Sequence, residues 1–216
     1  MTDIATSASA PFARPVKIDR ATRADLPTMV EILATGFLDG DFADWLVPDP
    51  TERAEIYPDY FQILAEHAID TGWVDITADR DAVAVWHDIP GHPATPAPIP
   101  DYARRLAQAV GTALPRFQAL DTVMEAHHPA GPHHYLGHLA VRPHRRRQGL
   151  GSALLLHHHH HHLDQHGISA YLEATGPDNQ RLYQRHGYKP HPPYPIADGA
   201  PPARPMWRKP SADTTG

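Results

Sequence analysis

The stretch RPHRRRQGLGS, residues 142–152, separates two apolar segments of different pattern. YLGHLAV at 135–141 predicts a strand, and the run that begins with ALLL at 153–156 predicts a helix. A turn between strand and helix presents backbone N–H groups at a helix N-terminus, where the helix dipole favours negative charge. Gly149 and Gly151 allow positive φ and close approach of a ligand. With its four arginines as donors to phosphate oxygens, the stretch predicts a pyrophosphate-binding loop.

Three phosphate-binding motifs are candidates for this loop. A P-loop requires Gly-Lys-Ser/Thr at its end, and no lysine follows Gly149 or Gly151. The dinucleotide fingerprint requires a third glycine, where this chain has Leu154. The remaining pattern is Q/R-x-x-G-x-G/A, which residues 146–151 satisfy as RRQGLG. In this setting of strand, turn and helix it resembles the coenzyme A signature of the GNAT acetyltransferase superfamily.

A second segment supports the same resemblance. Residues 176–188 read GPDNQRLYQRHGY and are similar to the P-x-N-x-x-x-Y-x-x-x-G-F/Y segment of that superfamily. Asn179 and Tyr183 are four residues apart, so they share one face of a predicted helix. Gly187 is placed to end that helix.

Four short segments resemble puromycin N-acetyltransferases within the superfamily. They are AVAVW at 82–86, GLGSA at 149–153, YLEAT at 171–175 and MWRKP at 206–210. This resemblance implies antibiotic resistance, with a small-molecule amine, such as an aminonucleoside-like antibiotic, as the acceptor. A protein N-terminus or a lysine remains an alternative acceptor.

The superfamily resemblance implies acetyl-CoA as cosubstrate and a set of residues that bind it. It implies that the backbone of Leu139, Ala140 and Val141 splays at a bulge and hydrogen-bonds the pantetheine arm. One of these N–H groups would polarise the thioester carbonyl. It also implies that Tyr183 lies near the thioester sulfur and acts as the general acid. The cofactor-binding residues so implied are Leu139, Ala140, Val141, Arg146, Arg147, Gln148, Gly149, Leu150, Gly151, Ser152, Asn179 and Tyr183.

The general base that deprotonates the amine has three candidates: Glu125, His138 and Glu173. Glu125 is equally well explained as a solvated helix residue. His138 lies on the same strand face as Ala140, and it is either substrate-facing or a core histidine. Glu173 ends a predicted strand, and a structural hydrogen bond would also account for it. The residues alone leave all three open.

Composition limits the other function classes. The chain has 216 residues and no cysteine, so a covalent acetyl-cysteine is excluded and direct transfer is expected. The net charge is −6 and the arginines are clustered, which argues against general nucleic-acid binding. The sequence shows no signal peptide and no membrane-length apolar run, so we expect a cytoplasmic protein with no membrane partner. The oligomeric state stays open.

Six consecutive histidines, His157–His162, fall inside a predicted helix. The pairs His157/His161 and His158/His162 are spaced to bind a divalent metal on a helix face. The acetyl transfer itself is expected to need no metal. An alternative function from a different class is a non-catalytic module that responds to metal or senses acyl-CoA through this run.

The predicted fold is α/β, with a mixed, mostly antiparallel sheet flanked by helices on both faces as in GNAT acyltransferases. Residues 15–210 are expected to form one domain, with the cofactor half at 133–210, between disordered segments 1–14 and 211–216. Predicted strands are 16–20, 73–77, 82–87, 133–142, 168–173, 187–190 and 203–208. Predicted helices are 26–38, 51–71, 101–127 with a break before Pro115, 149–166 and 178–186, with a loop at 39–50 and a proline-rich insertion at 89–100.

Overall fold

The computed structural model describes residues 16–91 and 98–211. The predicted disordered segments 1–14 and 211–216 lie outside the described residues, except for Ser211. Residues 92–97 of the predicted proline-rich insertion lie outside them as well.

Seven helices and seven strands are described. The helices are α1 (Leu26–Gly36), α2 (Asp41–Leu46), α3 (Pro50–Thr71), α4 (Tyr102–Val110), α5 (Leu114–His127), α6 (Leu150–His158) and α7 (Pro177–Arg185). The strands are β1 (Ile18–Arg20), β2 (Trp73–Thr77), β3 (Ala82–Ile89), β4 (His133–Val141), β5 (Ala170–Ala174), β6 (Lys189–Pro190) and β7 (Arg204–Arg208).

The strands form one sheet in the order β1-β2-β3-β4-β5-β7-β6. All neighbours pair antiparallel except β4 and β5, which pair parallel. This confirms the predicted α/β fold with its mostly antiparallel sheet. The parallel pair forms because the chain crosses over through α6 between β4 and β5.

The sheet separates two cores. On one face, α1 and α3 cover Val74, Ile76, Val83 and Val85 of β2 and β3. On the other face, α6 covers the alternate positions of β3, among them Trp86. Alternation along each strand therefore assigns neighbouring residues to opposite faces.

The break predicted before Pro115 is present: α4 ends before Gly111, whose φ is +49°, and Pro115 lies in the first turn of α5, where a proline is tolerated. Two other local features differ from the prediction. A short helix, α2, forms in the predicted loop at 39–50. The predicted helix 149–166 is α-helical only to His158 and continues as a π turn over His159–Leu163.

A β-bulge interrupts β4 at Gly137. Val85 of β3 pairs with His138, whereas the adjacent Trp86 pairs with Leu136, so Gly137 is the extra residue. In a regular strand Leu136 and Ala140 would lie on the same face of the sheet. The bulge reverses the alternation of β4, so Leu136 packs in the core under α6 and Ala140 packs in the core on the opposite face.

Among the described residues, no helix combines the length and the apolar character that a membrane span requires.

Two leucines of α6 provide a matched test of the core beneath this helix. Leu154 is fully buried, while Leu156 is 56% exposed. Leu154→Ala is expected to lower the free energy of unfolding by about 2–5 kcal/mol, because it leaves a cavity in the core. Leu156→Ala, the same chemical change on the exposed side, is expected to change it by about 0.5 kcal/mol or less. Urea denaturation of both variants measures the difference, and equal losses would contradict the described orientation of α6.

Candidate active site

The parallel strands β4 and β5 pair only at their beginnings. The ladder comprises His134 with Ala170 and Tyr135 with Tyr171, and the His134 N–H donates to the Ser169 carbonyl at 2.9 Å. In the described sheet, no ladder pair joins the two strands beyond Tyr135 and Tyr171. The second half of β4 therefore borders an open cleft, with one backbone edge unpaired.

The bulge determines which backbone groups of β4 face this cleft. The Arg142 N–H donates to the carbonyl of Asp81, which directly precedes β3, at 2.8 Å. Every second residue of β4, counted back from Arg142, therefore directs its backbone N–H and C=O toward β3. Ala140 belongs to that set and pairs with Val83. Leu139 and Val141 direct their backbone groups away from β3 toward the cleft. The backbone of Ala140 therefore hydrogen-bonds within the sheet, and cofactor binding by this residue stays a prediction.

The loop after β4 has the backbone shape of an anion-binding turn. Arg147 has a φ of +62° and Gly149 a φ of +85°, and α6 begins directly after Gly149. No side chain caps α6, so the N–H groups of its first turn remain available to a ligand. Successive N–H groups in such a turn form a concave anion site.

Most of the arginines in this loop are engaged by protein groups. Arg142 binds Glu31 at 2.5 Å, and Arg145 binds both Asp79 and Asp81. Arg146 donates to the Gly36 carbonyl at 2.7 Å. Among the described residues, no carboxylate forms an ion pair with Arg147, which is exposed. The basic run therefore anchors the loop, and Arg147 is the arginine left for a phosphate.

The other predicted loop residues have mainly structural contacts. The Gln148 side chain bonds within the loop to Arg145 and to the His144 carbonyl. Ser152 Oγ lies 2.9 Å from His186 Nε2 of the segment after α7. Leu150 is buried in the core under α6, and a Cβ at Gly151 would lie 3.7 Å from Leu139 Cδ2. These contacts join the loop, β4 and α7 into one unit.

A cavity of about 720 Å³ opens on the face of the sheet that carries α1 and α3. It extends from the α1–α2 region across α3 and α5 to the end of β5 and the beginning of α7. Its volume falls in the range of small-molecule sites. Seven aromatic side chains contribute to its wall: Phe37, Phe42, Tyr57, Tyr60, Phe61, Tyr102 and Tyr135.

Glu173 lines this cavity at the end of β5. Burial raises the pKa of its carboxyl, and the nearby hydroxyls of Tyr171, Tyr135 and Tyr194 offset the effect only in part. Tyr194 donates to Oε1 at 3.3 Å, while Oε2 is buried with no partner among the described residues. A buried carboxyl with an unsatisfied oxygen and a raised pKa is suited to exchange a proton with a ligand.

His138 lines the same cavity from β4, on the face of Ala140 as the sequence predicts. Its ring packs edge-on against Phe37 and Phe61, with centroids 5.6 and 5.7 Å away. Burial lowers its pKa to about 4, with a smaller contribution from His87. The imidazole is therefore neutral near pH 7.

Asp121 of α5 is a cavity residue that sequence reasoning missed. It accepts a hydrogen bond from the Tyr102 hydroxyl at 2.8 Å, and burial raises the pKa of its carboxyl. Nothing in the sequence marks it, since a carboxylate in an amphipathic helix is usually solvated. It becomes notable only because α4 and α5 fold over the cavity.

Of the remaining predicted site residues, one lines the cavity and two lie outside it. Glu125 is exposed on α5 and does not line the cavity. Asn179 lines it at the beginning of α7, where its amide donates to Thr175 Oγ1 at 2.7 Å. Tyr183 is buried one turn further along, in the core under α6, with Tyr188 at 5.8 Å between ring centroids. Burial raises the pKa of Tyr183, and its hydroxyl forms no hydrogen bond with the described residues.

Comparison with known proteins agrees with this arrangement. Residues 106–190 match the family model described as acetyltransferase (GNAT) domain. A solved Corynebacterium glutamicum protein, titled histone acetyltransferase HPA2 and related acetyltransferase, is 28% identical, with a TM-score of 0.68. The match covers 93% of this chain and 99% of that one.

Two more distant structures share the fold. One is arylalkylamine N-acetyltransferase 2 from Aedes aegypti, at 14% identity and a TM-score of 0.55, covering 90% of this chain and 98% of that one. The other is the Escherichia coli ribosomal-protein-S18-alanine N-acetyltransferase, at 18% identity and a TM-score of 0.52, covering 93% and 97%. Residues 106–190 are therefore similar to a GNAT acetyltransferase domain, and the two more distant structures show that the fold is shared.

The raised pKa of Glu173 predicts a specific pH dependence of stability. A carboxyl whose folded pKa exceeds its unfolded value of about 4.3 contributes stability below that value. The contribution is lost as the pH rises through the folded pKa. Glu173→Gln removes this loss, so the variant should gain stability relative to wild type as the pH rises from the unfolded value of about 4.3 through the folded pKa. The gain should be about 1.4 kcal/mol per unit by which the pKa is raised.

Urea denaturation across this pH range measures the difference. Glu125→Gln, the same change at an exposed position, is the matched control and should change the free energy of unfolding by about 0.5 kcal/mol or less. A difference between Glu173→Gln and wild type that does not change with pH would contradict the raised pKa of Glu173.

Proposed function

We propose that this acetyl-CoA-dependent N-acetyltransferase transfers the acetyl group directly to the primary amine of a small molecule with an aromatic or apolar body. The observation that carries the proposal is the aromatic cavity of about 720 Å³ beside the β4–β5 cleft, which holds the buried carboxyl of Glu173. An amine bound in this cavity would lie near both the Glu173 carboxyl and the apolar surface of the aromatic side chains. Aminonucleoside-like antibiotics, and hence a role in resistance, fall within this acceptor class.

The residues around the cleft fit acetyl-CoA. Leu139 and Val141 offer unpaired backbone groups along the cleft, which suit the amides of a pantetheine arm. The uncapped start of α6, with Gly149 and Arg147 in positive φ, suits a pyrophosphate. Acetyl-CoA bound there supplies the activated thioester.

Glu173 is the general base that the electrostatics favour among the three candidates. A base works best when its pKa lies near the operating pH, and burial moves Glu173 upward toward that range. Burial moves His138 away from it, to about 4, which leaves a neutral but weakly basic imidazole. Glu125 lies outside the cavity. In the proposal, Glu173 accepts the proton of the bound ammonium, directly or through water.

Two further groups complete the proposed mechanism. The N–H of Leu139 or Val141 stabilises the negative charge that develops on the thioester oxygen during attack. Tyr183 donates a proton to the departing thiolate. Burial raises the pKa of Tyr183, which keeps the hydroxyl protonated but makes it a weaker acid, so this role follows from the resemblance of residues 176–188 and not from the pKa.

The wall of the cavity supports an aromatic or cationic acceptor. Tyr57, Tyr60 and Phe61 form a tilted and edge-to-face cluster with ring centroids 5.0–6.4 Å apart. Such rings bind apolar groups and attract cations to their faces. Trp45 and Trp86 do not line the cavity, and Trp86 lies in the core under α6.

A charge introduced into the loop tests the cosubstrate site. Gly149→Asp places a carboxylate at the start of α6 and is expected to weaken acetyl-CoA binding at least about tenfold, or 1.4 kcal/mol, by calorimetry. Gly167→Asp is the matched control, because Gly167 also has a positive φ, +66°, with open space around its Cα. Unchanged affinity in Gly149→Asp would overturn the loop assignment, as would an equal loss in both variants.

The acceptor class is tested by release of free CoA. Acetyl-CoA is incubated with puromycin, phenethylamine and a peptide that has a free N-terminus and a lysine, with and without EDTA. We expect EDTA-insensitive release with a small aromatic amine, and a rate about 10²–10⁴-fold lower in Glu173→Gln. Glu125→Gln should retain the wild-type rate. Release with the peptide alone would overturn the small-molecule acceptor, and full activity in Glu173→Gln would overturn the base.

A further inference from the structure

The histidine run lies on the face of the sheet opposite the cavity. It begins in α6, which packs on β2, β3 and β4, and it continues through the π turn His159–Leu163. The proposed acetyl transfer uses none of these histidines.

Two of them converge on a buried carboxylate. Asp75 of β2 is 1% exposed, and His157 Nε2 lies 4.0 Å from its Oδ1. One ligand atom from each of Asp75, His157 and His162 lies within 4.8 Å of the others. The three side chains come from two elements that are distant in sequence.

The π turn explains why His157 and His162 are neighbours. In a regular α-helix, residues five apart point in different directions, since one turn takes 3.6 residues. A π turn takes more residues per turn and forms i→i+5 contacts, and single π turns are frequent at functional sites. The unusual helix geometry therefore brings these two imidazoles to the same carboxylate.

Other residues hold Asp75 in place. Trp73 Nε1 donates to its Oδ1 at 2.9 Å, and His158 Nδ1 lies 3.0 Å from Oδ2. His158 is fully buried, stacks on Trp86 at 4.0 Å between ring centroids, and its Nε2 lies 2.9 Å from His134 Nδ1. Hydrogen-bonded partners of this kind are what orient a metal-binding carboxylate.

These contacts correct the pairs expected from the sequence. His158 is occupied by Asp75 and His134, so it is unavailable to form a surface metal pair with His162. The rings of His157 and His161 are 4.7 Å apart, which leaves His161 within reach of the same site.

We propose that Asp75, His157 and His162 form a binding site for a divalent transition-metal ion such as Zn²⁺. Water or His161 completes the tetrahedral coordination. Imidazole and carboxylate ligands favour Zn²⁺ over Mg²⁺ or Ca²⁺. Ligand distances of about 2.0–2.2 Å require the three groups to close by about 1 Å, and His157 and His162 are half-buried and have room to move.

The bound ion links β2 to the end of α6 and stabilises the folded protein, since it binds a site that the unfolded chain lacks. The site is separated from the cavity by the sheet, so it is structural and does not take part in acetyl transfer.

Metal binding by defined variants tests the site. EDTA-treated full-length protein is titrated with ZnCl₂ by calorimetry, and with CoCl₂ while the visible absorption is recorded. We expect one tight equivalent, an intense tetrahedral Co²⁺ spectrum, and a higher melting temperature with Zn²⁺. Asp75→Asn should weaken Zn²⁺ binding at least about tenfold. The double variant His157→Gln/His162→Gln should abolish the tetrahedral spectrum.

A matched control separates this site from chelation by any histidine-rich segment. His160→Gln/His166→Gln removes the same number of histidines outside the cluster and should bind like wild type. Equal affinity in Asp75→Asn and wild type would overturn the proposal, as would an equal loss in both double variants. If Asp75→Asn does not fold by circular dichroism, the two double variants decide the question, because their substitutions avoid the buried carboxylate.

Discussion

The incomplete pairing of β4 and β5 is the constraint on which the rest of the site depends. Parallel strands that stayed paired would satisfy each other's backbone groups and close the sheet. Here they separate after two ladder pairs, which leaves the Leu139 and Val141 backbone at the edge of a cleft. The same separation places Glu173, at the end of β5, beside the cavity. The proposed cosubstrate cleft and the proposed acceptor cavity therefore have one structural origin.

Burial shifts the pKa values of Glu173 and His138, which line the same cavity, in opposite directions. It raises the pKa of Glu173 and lowers the pKa of His138, because it disfavours the charged form of each. A carboxyl moved toward neutral pH and an imidazole moved away from it have different chemical uses. The choice between the candidate bases thus rests on the environment of each group.

The regions that the sequence predicted well are those governed by local pattern. The order of strand, glycine turn and helix, the positive φ of Gly149, and the shared helix of Asn179 and Tyr183 all follow from residue types within a short segment. The sheet and most of its elements were predictable because their apolar periodicity is clear. These features require no knowledge of distant residues.

The features that escaped prediction depend on contacts between distant segments. Glu31, Asp79 and Asp81 occupy the arginines of the loop, and the position of the bulge at Gly137, in a strand where the resemblance implied one at Leu139–Val141, determines which side of β4 faces the cleft. The π turn in the histidine run and the burial of Asp75 beneath it likewise appear only in the folded chain. A run of six identical residues contains no periodicity from which their individual roles could be read.

The most direct test of the account is a crystal structure of the protein with acetyl-CoA. We predict that the pantetheine arm lies between β4 and β5, bonded to the backbone of Leu139 and Val141. The pyrophosphate should lie at the start of α6, and the thioester should face the cavity that holds Glu173. Acetyl-CoA bound away from the β4–β5 cleft, or a thioester directed away from Glu173, would contradict the account.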